Sequence, residues 1–519
     1  MDFSHSNAAS DYESLTKDRQ TYLDRARDCA LLTIPRIFPK EGHNQDTEII
    51  TPYNSVGSRG INNLASSMLL SLLPPQSSPF FRLVTDESYL QSLPPEDRQT
   101  VEDELDVVYS DLERKVMRKI EVSNFRPQVF EGLKQLLIGG NALFHLENEG
   151  TLRHIHLEHY ALKRDPSGNL LHLIVKETIA LDALPEDLVA AIDPVELEKK
   201  KADAEVDLYT EAKLNAEGKF RVVQSAFGKE IPGTDSLYKP QDLPFLPISL
   251  YLIMGESYGR SLVEEYFGDL HSLEALSQSL VEFSAAASKI LFMVSANGTT
   301  RKTDLANKPS GSIVTGNAAD VTVLQMEKFA DFRITKETVD SIQQRMNHVF
   351  LLTTDMIRNA ERVTAEEVRL TQQQIEKQHG AAYAMLAVTF QLPLVRMLLR
   401  RMTADQELPA LPDKIVEPMI VTGVDAMGRG NDLNKLDAFV GGLHQVLTPE
   451  VANQRINIGE YMKRRAAALG IDHKNLVVTD EELQQRQAEQ QQAAMANTAA
   501  GPVAKEAANA AFQPPPESA

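Results

Sequence analysis

TTDMIRNAERVTAEEVRLTQQQIEKQHGAAYAMLAVTFQLPLVRMLLRRM, residues Thr353–Met402, contains the clearest long helix in this chain of 519 residues. Thr364 lies three residues before Glu367, a spacing that lets both side chains cap free backbone N–H groups, so the helix is predicted to begin at about Ala365. Side chains that can pack in a core then recur at helical intervals, at Val368, Ile375, Ala382, Leu386, Thr389, Phe390, Leu394 and Met397. The pattern predicts an amphipathic helix with one face buried along its length.

A proline lies inside this helical pattern, and a polar, arginine-bearing stretch precedes it. Pro393 lacks an amide proton and its ring clashes with the preceding turn, so it is predicted to kink or break the helix and to leave VRMLLRRM as a second, more basic segment. Upstream, the polar stretch TTDMIRNAERV carries Arg358 and Arg362 between two helical patterns. A loop at that position would present cations on a rigid support.

The order of these parts resembles the helix that follows the tunnel loop in portal proteins, the head-to-tail connectors of short-tailed bacteriophages. Four more stretches are similar to that family. They are TPYNSVGSRGINNLASSMLLSLLPPQSSPFFRLV from Thr51, GGNALFHL from Gly139, KRDPSGNL from Lys163 and YGRS from Tyr258. The helix, compact strand-forming insert, helix, loop and long helix in the middle of the chain also follow the order of stem, clip, stem, tunnel loop and spine in portals.

The resemblance implies a helix-rich α+β subunit that forms a ring. Its expected parts are the α/β wing (1–258), the first stem helix (259–290), a small β-containing clip (291–332), the second stem helix (333–352), the tunnel loop, spine helix and return to the wing (353–424), a helical crown (425–478) and a Gln/Ala-rich, partly disordered tail (479–519). By pattern alone, Ser261 to Ile290 is predicted to be one long helix and Thr335 to Leu352 another.

Composition narrows the function classes. Lys and Arg total 53 against 73 Asp and Glu, a net charge of −20, which is unlike a nucleic-acid sheath that neutralises phosphates. Cys29 is the only cysteine, so an internal disulfide and a Cys-based zinc site are excluded. No signal-peptide pattern begins the chain, and the best membrane candidate, Ala381 to Leu399, is interrupted by polar residues and Pro393, so we expect a soluble intracellular protein without membrane contact.

One motif suggests an enzyme. Gly255-Glu256-Ser257-Tyr258-Gly259 is a G-x-S-x-G sequence between a predicted strand and a predicted helix, the context of a hydrolase nucleophile elbow. Regular strand and helix alternation and an oxyanion-loop motif are both missing from the pattern, which favours the view that the protein is not an enzyme. A serine hydrolase that uses Ser257 remains the alternative.

Two further patterns could bind ligands. His154, His156 and Glu158 are predicted to share one face of a strand, where they could hold zinc. No fourth ligand is indicated, and Ile155 and Leu157 on the other face favour an ordinary half-buried strand. Gly311 to Gly316 has the glycine spacing of a phosphate loop, but Asn317 and Ala318 stand where Lys and Ser/Thr are required. We therefore expect no metal, no cofactor and no ATPase activity.

By resemblance, the chain is expected to be a portal protein that forms a dodecamer at one capsid vertex, through which DNA is packaged and ejected. The channel candidates for DNA contact are Arg358, Arg362, Lys336 and Arg345, and the clip candidates for docking are Asn297, Arg301, Lys302 and Lys308. The implied partners are capsid and scaffolding proteins, terminase, the tail adaptor and internal core proteins, first in the host cytoplasm and then in the virion. A cellular helical scaffold, and a salt-bridged role for the arginines, stay open at this point.

Overall fold

The computed structural model describes much of the chain up to residue 420 and short helical parts beyond it. The described residues are 8–44, 46–74, 80–92, 94, 98–180, 205–287, 291–301, 303, 309, 312–313, 315–324, 329–352, 380, 382–409, 416–420, 437–443, 458–459, 461–462 and 465. The chain divides into two compact units, Met1–Thr422 and Gly423–Ala519. In the second unit the Tyr461 hydroxyl donates to Asp437 over 2.6 Å, and Arg465 donates to the same hydroxyl.

Nine helices of the first unit are numbered in chain order. They are α1 (Ala8–Leu31), α2 (Val56–Leu72), α3 (Glu87–Ser92), α4 (Arg98–Val122), α5 (Phe125–Gly139), α6 (Leu262–Glu265), α7 (Phe267–Ala287), α8 (Phe329–Val349) and α9 (Leu392–Ala404). The strands are β1 (Phe81–Thr85), β2 (Asn141–Leu146), β3 (Leu152–Ile155), β4 (Tyr160–Arg164), β5 (Leu170–Ala180), β6 (Glu205–Leu214), β7 (Phe220–Ala226), β8 (Lys229–Glu230), β9 (Ser236–Tyr238), β10 (Phe245–Ser249), β11 (Leu291–Val294), β12 (Val321–Leu324) and β13 (Val416–Ile420).

All strand pairs among the described residues are antiparallel. The largest sheet has the order β4-β5-β6-β7-β8, with β9 also paired to β7, and a second sheet has the order β10-β2-β3. Two separate ribbons are formed by β1 with β13 and by β11 with β12. The end of the stretch that begins at Thr51, FRLV, thus lies in β1, which pairs with β13 far along the chain.

Helix α5 lies in the middle of the hydrophobic core. Its last eight residues, 132–139, are all buried, because α1, α2 and the β10-β2-β3 sheet surround it. Gly132 is required there, since a Cβ atom at that position would lie 2.2 Å from the Phe144 ring. A helix covered on all sides is apolar all round, and GLKQLLIG fits that pattern apart from Lys134 and Gln135.

The long-helix prediction is confirmed in its second half and corrected in one detail. Ala382, Leu386, Phe390 and Leu394 are buried as expected, whereas Thr389 is exposed. Residues Ala387–Gln391 form a π-helical turn directly before α9, and this wide turn shifts the helical register. The chain stays helical through Pro393, so the proline is accommodated by the π turn without a break. The predicted beginning at Ala365 lies outside the described residues.

The same segment contains the best membrane candidate of the sequence. Ala382–Ala404 is long and apolar enough to cross a bilayer by length and composition, but 56% of its apolar window is buried inside the subunit. It therefore reads as a core helix, as the sequence predicted.

Two helix boundaries differ from prediction. The helix expected from Ser261 to Ile290 is divided at Tyr266 into α6 and α7, and residues 288–290 lie outside the described part. Helix α8 begins at Phe329, six residues before the expected Thr335, because Phe332 packs against Phe283 of α7 with ring centroids 3.9 Å apart. Tertiary packing thus extends a helix whose first turn has little periodicity of its own.

Candidate functional site

Three of the short motifs that carried the family resemblance meet in one buried joint. The side-chain amide of Asn141 donates to the Gly259 carbonyl over 2.9 Å, and its oxygen accepts from the Gly259 N–H over 2.8 Å and from the Ser249 hydroxyl over 3.0 Å. Gly140 has φ +75, and a Cβ atom there would lie 2.5 Å from the Arg260 backbone. The GGN and YGRS motifs thus depend on each other: Gly140 allows the two backbones to approach closely, and the Asn141 amide hydrogen-bonds Gly259.

The third motif completes the joint. The Arg164 guanidinium donates to the carbonyls of Ser257, Gly168 and Pro247 over 2.9–3.2 Å. The Tyr258 hydroxyl accepts from the Leu162 N–H over 2.9 Å, and burial raises its pKa. These contacts connect β4, the Asp165–Asn169 turn and the segment that leads into α6, so the large sheet that contains β4 fixes where the helical hairpin starts.

Residues of the YGRS motif also start the helices. The Ser261 hydroxyl accepts from the Glu264 N–H over 2.9 Å and caps α6. Arg260 donates to Glu256 and Glu264, and these hydrogen bonds raise the pKa of its guanidinium. The ring of Tyr22 in α1 packs against Tyr258 at a tilt of 37°, with ring centroids 5.3 Å apart.

Helix α2 holds the other end of the hairpin. The Asn63 amide donates to the carbonyls of Phe350 and Leu351, both over 3.1 Å, and so caps the end of α8. A Cβ atom at Gly60 would lie 2.3 Å from the Phe350 ring, which is fully buried. Glu274 of α7 accepts from the backbone N–H groups of Tyr53 and Asn54 over 2.7 and 3.0 Å. One motif, PYNSVGSRGINN, therefore anchors both long helices.

Helices α7 and α8 form an antiparallel hairpin. Phe283 near the end of α7 contacts Phe332 near the start of α8, and Asp269 at the start of α7 pairs with Arg345 near the end of α8 over 2.8 Å. The β11–β12 ribbon lies between the two helices in sequence. This is the order expected for stem, clip and stem.

The predicted channel residues have different surroundings. Lys336 is exposed and has no ion-pair partner among the described residues. Arg345 is 58% exposed but pairs with Asp269, which lowers its net charge contribution. Arg358 and Arg362 lie outside the described residues, so their role stays a prediction.

The clip candidates lie in and beside one organised turn. Asn297 is exposed in the Ser295–Gly298 turn, and Arg301 is exposed just after it, whereas Lys302 and Lys308 lie outside the described residues. The Asp320 carboxylate accepts from the Thr300 N–H and from the hydroxyls of Thr299 and Thr300, all over 3.2 Å. Desolvation raises the pKa of the Asp320 carboxyl, but these hydrogen bonds outweigh it, so the pKa lies below its usual value. The turn thus holds its side chains on a defined base.

The serine-hydrolase alternative finds no support around Ser257. Its hydroxyl accepts from the Arg164 N–H over 3.3 Å, and among the described residues no histidine bonds to it. The motif lies in an irregular connection after β10, where Gly255 has φ +87. A nucleophile needs a general base within hydrogen-bond reach, and Ser257 instead takes part in the joint.

The predicted metal pattern is corrected by the structure. Strand β3 ends at Ile155, so His154, His156 and Glu158 do not share one strand face. The His156 ring uses both nitrogens, at 2.6 Å from the Ile37 carbonyl and 3.3 Å from the Glu158 N–H. Burial lowers the pKa of both histidines, that of His154 to about 3. These are core histidines.

One other group of possible ligands comes together among the described residues. Asp11, His172 and Glu211 place their ligand atoms within 4.8 Å of one another. Lys213 already supplies a positive charge, with its ammonium 3.5 Å from Asp11 and 3.9 Å from Glu211, and His172 hydrogen-bonds Glu211 over 2.7 Å. The group is an ion-pair cluster between α1 and the large sheet.

Comparison with known proteins now gives the class of protein. Residues 5–477 match the family described as bacteriophage head to tail connecting protein. The chain therefore belongs to this family.

Relatives of known function lie close to the whole chain. It is 40% identical over 516 residues to the portal protein of Escherichia phage T7, covering 98% of this chain and 95% of the relative. It is 40% identical to the portal protein of Enterobacteria phage T3, covering 92% and 89%, and 32% identical to that of Enterobacteria phage SP6, covering 93% and 92%. Family and relatives together show that its function is that of a phage portal, the connector between head and tail.

The sequence indicated the motifs but not their contacts. Asn63, Asn141 and Glu274 were not singled out as positioning residues, although they hold the hairpin in place. Their signal was present, since each lies in or beside a stretch that resembles the family or in the predicted stem. Only the fold shows that GGN touches YGRS and that α2 touches the end of α8.

Proposed function

We propose that the chain assembles into a closed ring at one capsid vertex, of twelve copies by resemblance, and that genome DNA passes along the axis of the ring during packaging and ejection. The observation that carries this proposal is the anchored hairpin of α7 and α8. Both helices are fixed to the wing by buried contacts at one end, at Asn141 and Gly60, so their outer faces are free to form a wall.

The two outer faces support different roles. In α8 the exposed residues include the charged side chains Arg333, Lys336, Glu337, Asp340 and Arg345. The exposed face of α7 between residues 271 and 285 has one carboxylate, Glu282, among His, Ser, Ala, Gln and Val. Since interface cores are depleted of charge, we assign α7 to contact with a neighbouring subunit and α8 to the water-filled channel.

The charge of the channel follows from the same assignment. An acidic subunit repels phosphates over about 8 Å at physiological salt, which opposes sticking of DNA. A few cations, with Lys336 the clearest among the described residues, would add brief, salt-sensitive contacts. Such a wall lets DNA slide in both directions.

The β11–β12 ribbon and its turn are the proposed docking site for terminase during packaging and for the tail adaptor afterwards. Asn297 and Arg301 are exposed there. Capsid, scaffolding and internal core proteins complete the proposed partners, in the host cytoplasm during assembly and at the portal vertex of the virion.

Negative-stain microscopy of the purified chain, with mass photometry on the same sample, tests the ring. Closed rings with a central hole and a mass near twelve subunits are expected. Monomers at every salt concentration and in the presence of scaffolding protein would contradict the proposal. For the clip, Asn297→Ala with Arg301→Glu should leave rings intact and weaken adaptor binding, and loss of rings would show that this turn has another role.

A further inference from the structure

A groove of about 500 Å³ lies between the β1–β13 ribbon and the π-helical turn before α9. Its lining includes the apolar residues Val84, Val388, Leu392, Pro418 and Met419. Three of them are open to solvent, with exposed fractions of 41% for Val84, 66% for Val388 and 52% for Met419. Large apolar side chains from three distant segments thus form one exposed surface, which is typical of an interaction site.

The π turn explains why Val388 faces outward. The wide turn keeps Phe390 and Gln391 buried, and the Gln391 amide donates to the Leu72 carbonyl over 2.7 Å at the end of α2. An apolar residue is left on the outer side of the same turn, beside Met419. The outward position of Val388 is therefore built into the fold by contacts on the opposite side of the helix.

Two charged residues line the groove, Asp86 and Arg396. The Arg396 side chain is half-buried, and among the described residues neither Asp86 nor any other carboxylate forms an ion pair with it. A partly desolvated guanidinium next to apolar side chains favours an incoming carboxylate, and arginine is the usual cation of interface ion pairs. The surface that fits is therefore apolar with at least one acidic side chain.

The ribbon is protected against pairing with another strand. The Leu83 N–H donates to the buried Glu113 carboxylate of α4 over 2.9 Å, so this edge of β1 is covered. Leu83 lies opposite Pro418. Because the Leu83 N–H faces away from β13, the two residues form a non-hydrogen-bonded pair, so the Pro418 nitrogen faces the outer edge of β13 and that edge lacks a donor there. The groove is thus suited to side-chain contacts and not to strand addition.

We propose that this groove is a subunit interface of the ring, occupied by apolar side chains and a carboxylate from a neighbouring copy of the same chain. The inference rests on the ring of the proposed function. A copy with net charge −20 is rich in carboxylates for Arg396. A closed ring uses head-to-tail contacts, so the counter-surface is a different part of the neighbour, and two identical grooves do not meet.

The test replaces Val388, and in a second variant Met419, with the photo-crosslinking residue p-benzoylphenylalanine in the full chain. After irradiation of rings, denaturing gels should show covalent dimers and longer ladders, and mass spectrometry should find groove peptides joined to a different segment of the same sequence. Irradiation of dissociated subunits at low concentration is the control and should give no ladder.

A charge variant gives an independent readout. Arg396→Glu should lower the yield of rings by about tenfold, because it opposes the incoming carboxylate, and Arg396→Lys should lower it less. Lys219→Glu, a charge reversal in the turn between β6 and β7, is the matched control and should leave the yield of rings unchanged.

The outcomes separate this inference from the ring itself. Normal rings with no crosslink between subunits, crosslinks to another phage protein only, or an unchanged yield for Arg396→Glu would overturn the groove assignment and leave the ring standing. Absence of rings from the unaltered chain would overturn both.

Discussion

Helices α7 and α8 are the two arms of one hairpin, yet their exposed faces differ strongly in charge. The arms are fixed at the same end, α7 by the Asn141 joint and by Glu274, and α8 by Gly60 and Asn63. Away from that end, α8 exposes cations and anions, whereas α7 exposes mainly small or neutral side chains. The proposed ring explains this charge difference by what each arm would face, a neighbouring subunit for α7 and the channel for α8.

The anchors themselves also differ. The start of the hairpin is held by hydrogen bonds of a buried amide, and the end of α8 is held by close packing of Phe350 on Gly60 in addition to the Asn63 hydrogen bonds. Buried polar contacts fix a direction, because each donor and acceptor must be satisfied. Close packing fixes a distance. Substitutions at each anchor and on each face can test these assignments separately.

Gly60→Leu should have the largest effect. The new side chain would occupy the position of the Phe350 ring, so we expect a loss of about 3 kcal/mol or more in the free energy of unfolding. Urea unfolding of unassembled subunits measures it. Gly268→Ala on α7 is the control, because nothing lies within 4 Å of its Cβ position, and it should be neutral or slightly stabilising. Similar losses for both variants would contradict the packing anchor.

Asn141→Ala should come next. It removes the partners of the Gly259 N–H and C=O in a buried site, and we expect a loss of about 2 to 3 kcal/mol in the free energy of unfolding. Asn297→Ala, in an exposed turn, is the matched control and should change it by less than about 0.5 kcal/mol. If Asn141→Ala is equally mild, the joint does not fix the start of the hairpin.

Charge changes on the two arms should affect different functions. Lys336→Glu on α8 should leave the yield of rings unchanged and lower the amount of nuclease-protected DNA per particle, because a cation of the channel wall is lost. Gln278→Lys on α7 should instead lower the yield of rings in mass photometry, because it buries a charge between subunits. The reverse pattern would exchange the roles of the two arms.

Arg345→Ala should have the smallest effect on stability. Its ion pair with Asp269 is largely solvent-exposed, so we expect a change of less than about 1 kcal/mol in the free energy of unfolding. Chemical denaturation of subunits checks this value. A loss above about 2 kcal/mol would mean that the pair helps to hold the hairpin together.

Much of this molecule follows from local pattern, and the rest depends on contacts between distant residues. Periodicity identified the buried stripe of Ala382, Leu386, Phe390 and Leu394, but it placed Thr389 on that stripe because the π turn has no sequence period of its own. Alternation placed His156 on a strand that ends one residue earlier.

The candidate site divides in the same way. Exposed Lys336, Asn297 and Arg301 could be proposed from sequence and resemblance, since charge and turn residues are local signals. The pairing of β1 with β13, and hence the groove with Arg396, joins segments far apart in the chain, and no local rule predicts that pairing.

Cysteine labelling of assembled rings tests the central claim most directly, that α7 packs between subunits while α8 lines the channel. Gln278→Cys on α7 and Gln344→Cys on α8 replace the same exposed residue type on the two arms. The native Cys29 should not interfere, because it is buried and burial raises its pKa to about 12. We expect a small maleimide to label both variants in dissociated subunits, and only Gln344→Cys in rings. Protection of Gln344→Cys with free labelling of Gln278→Cys in rings would contradict the account.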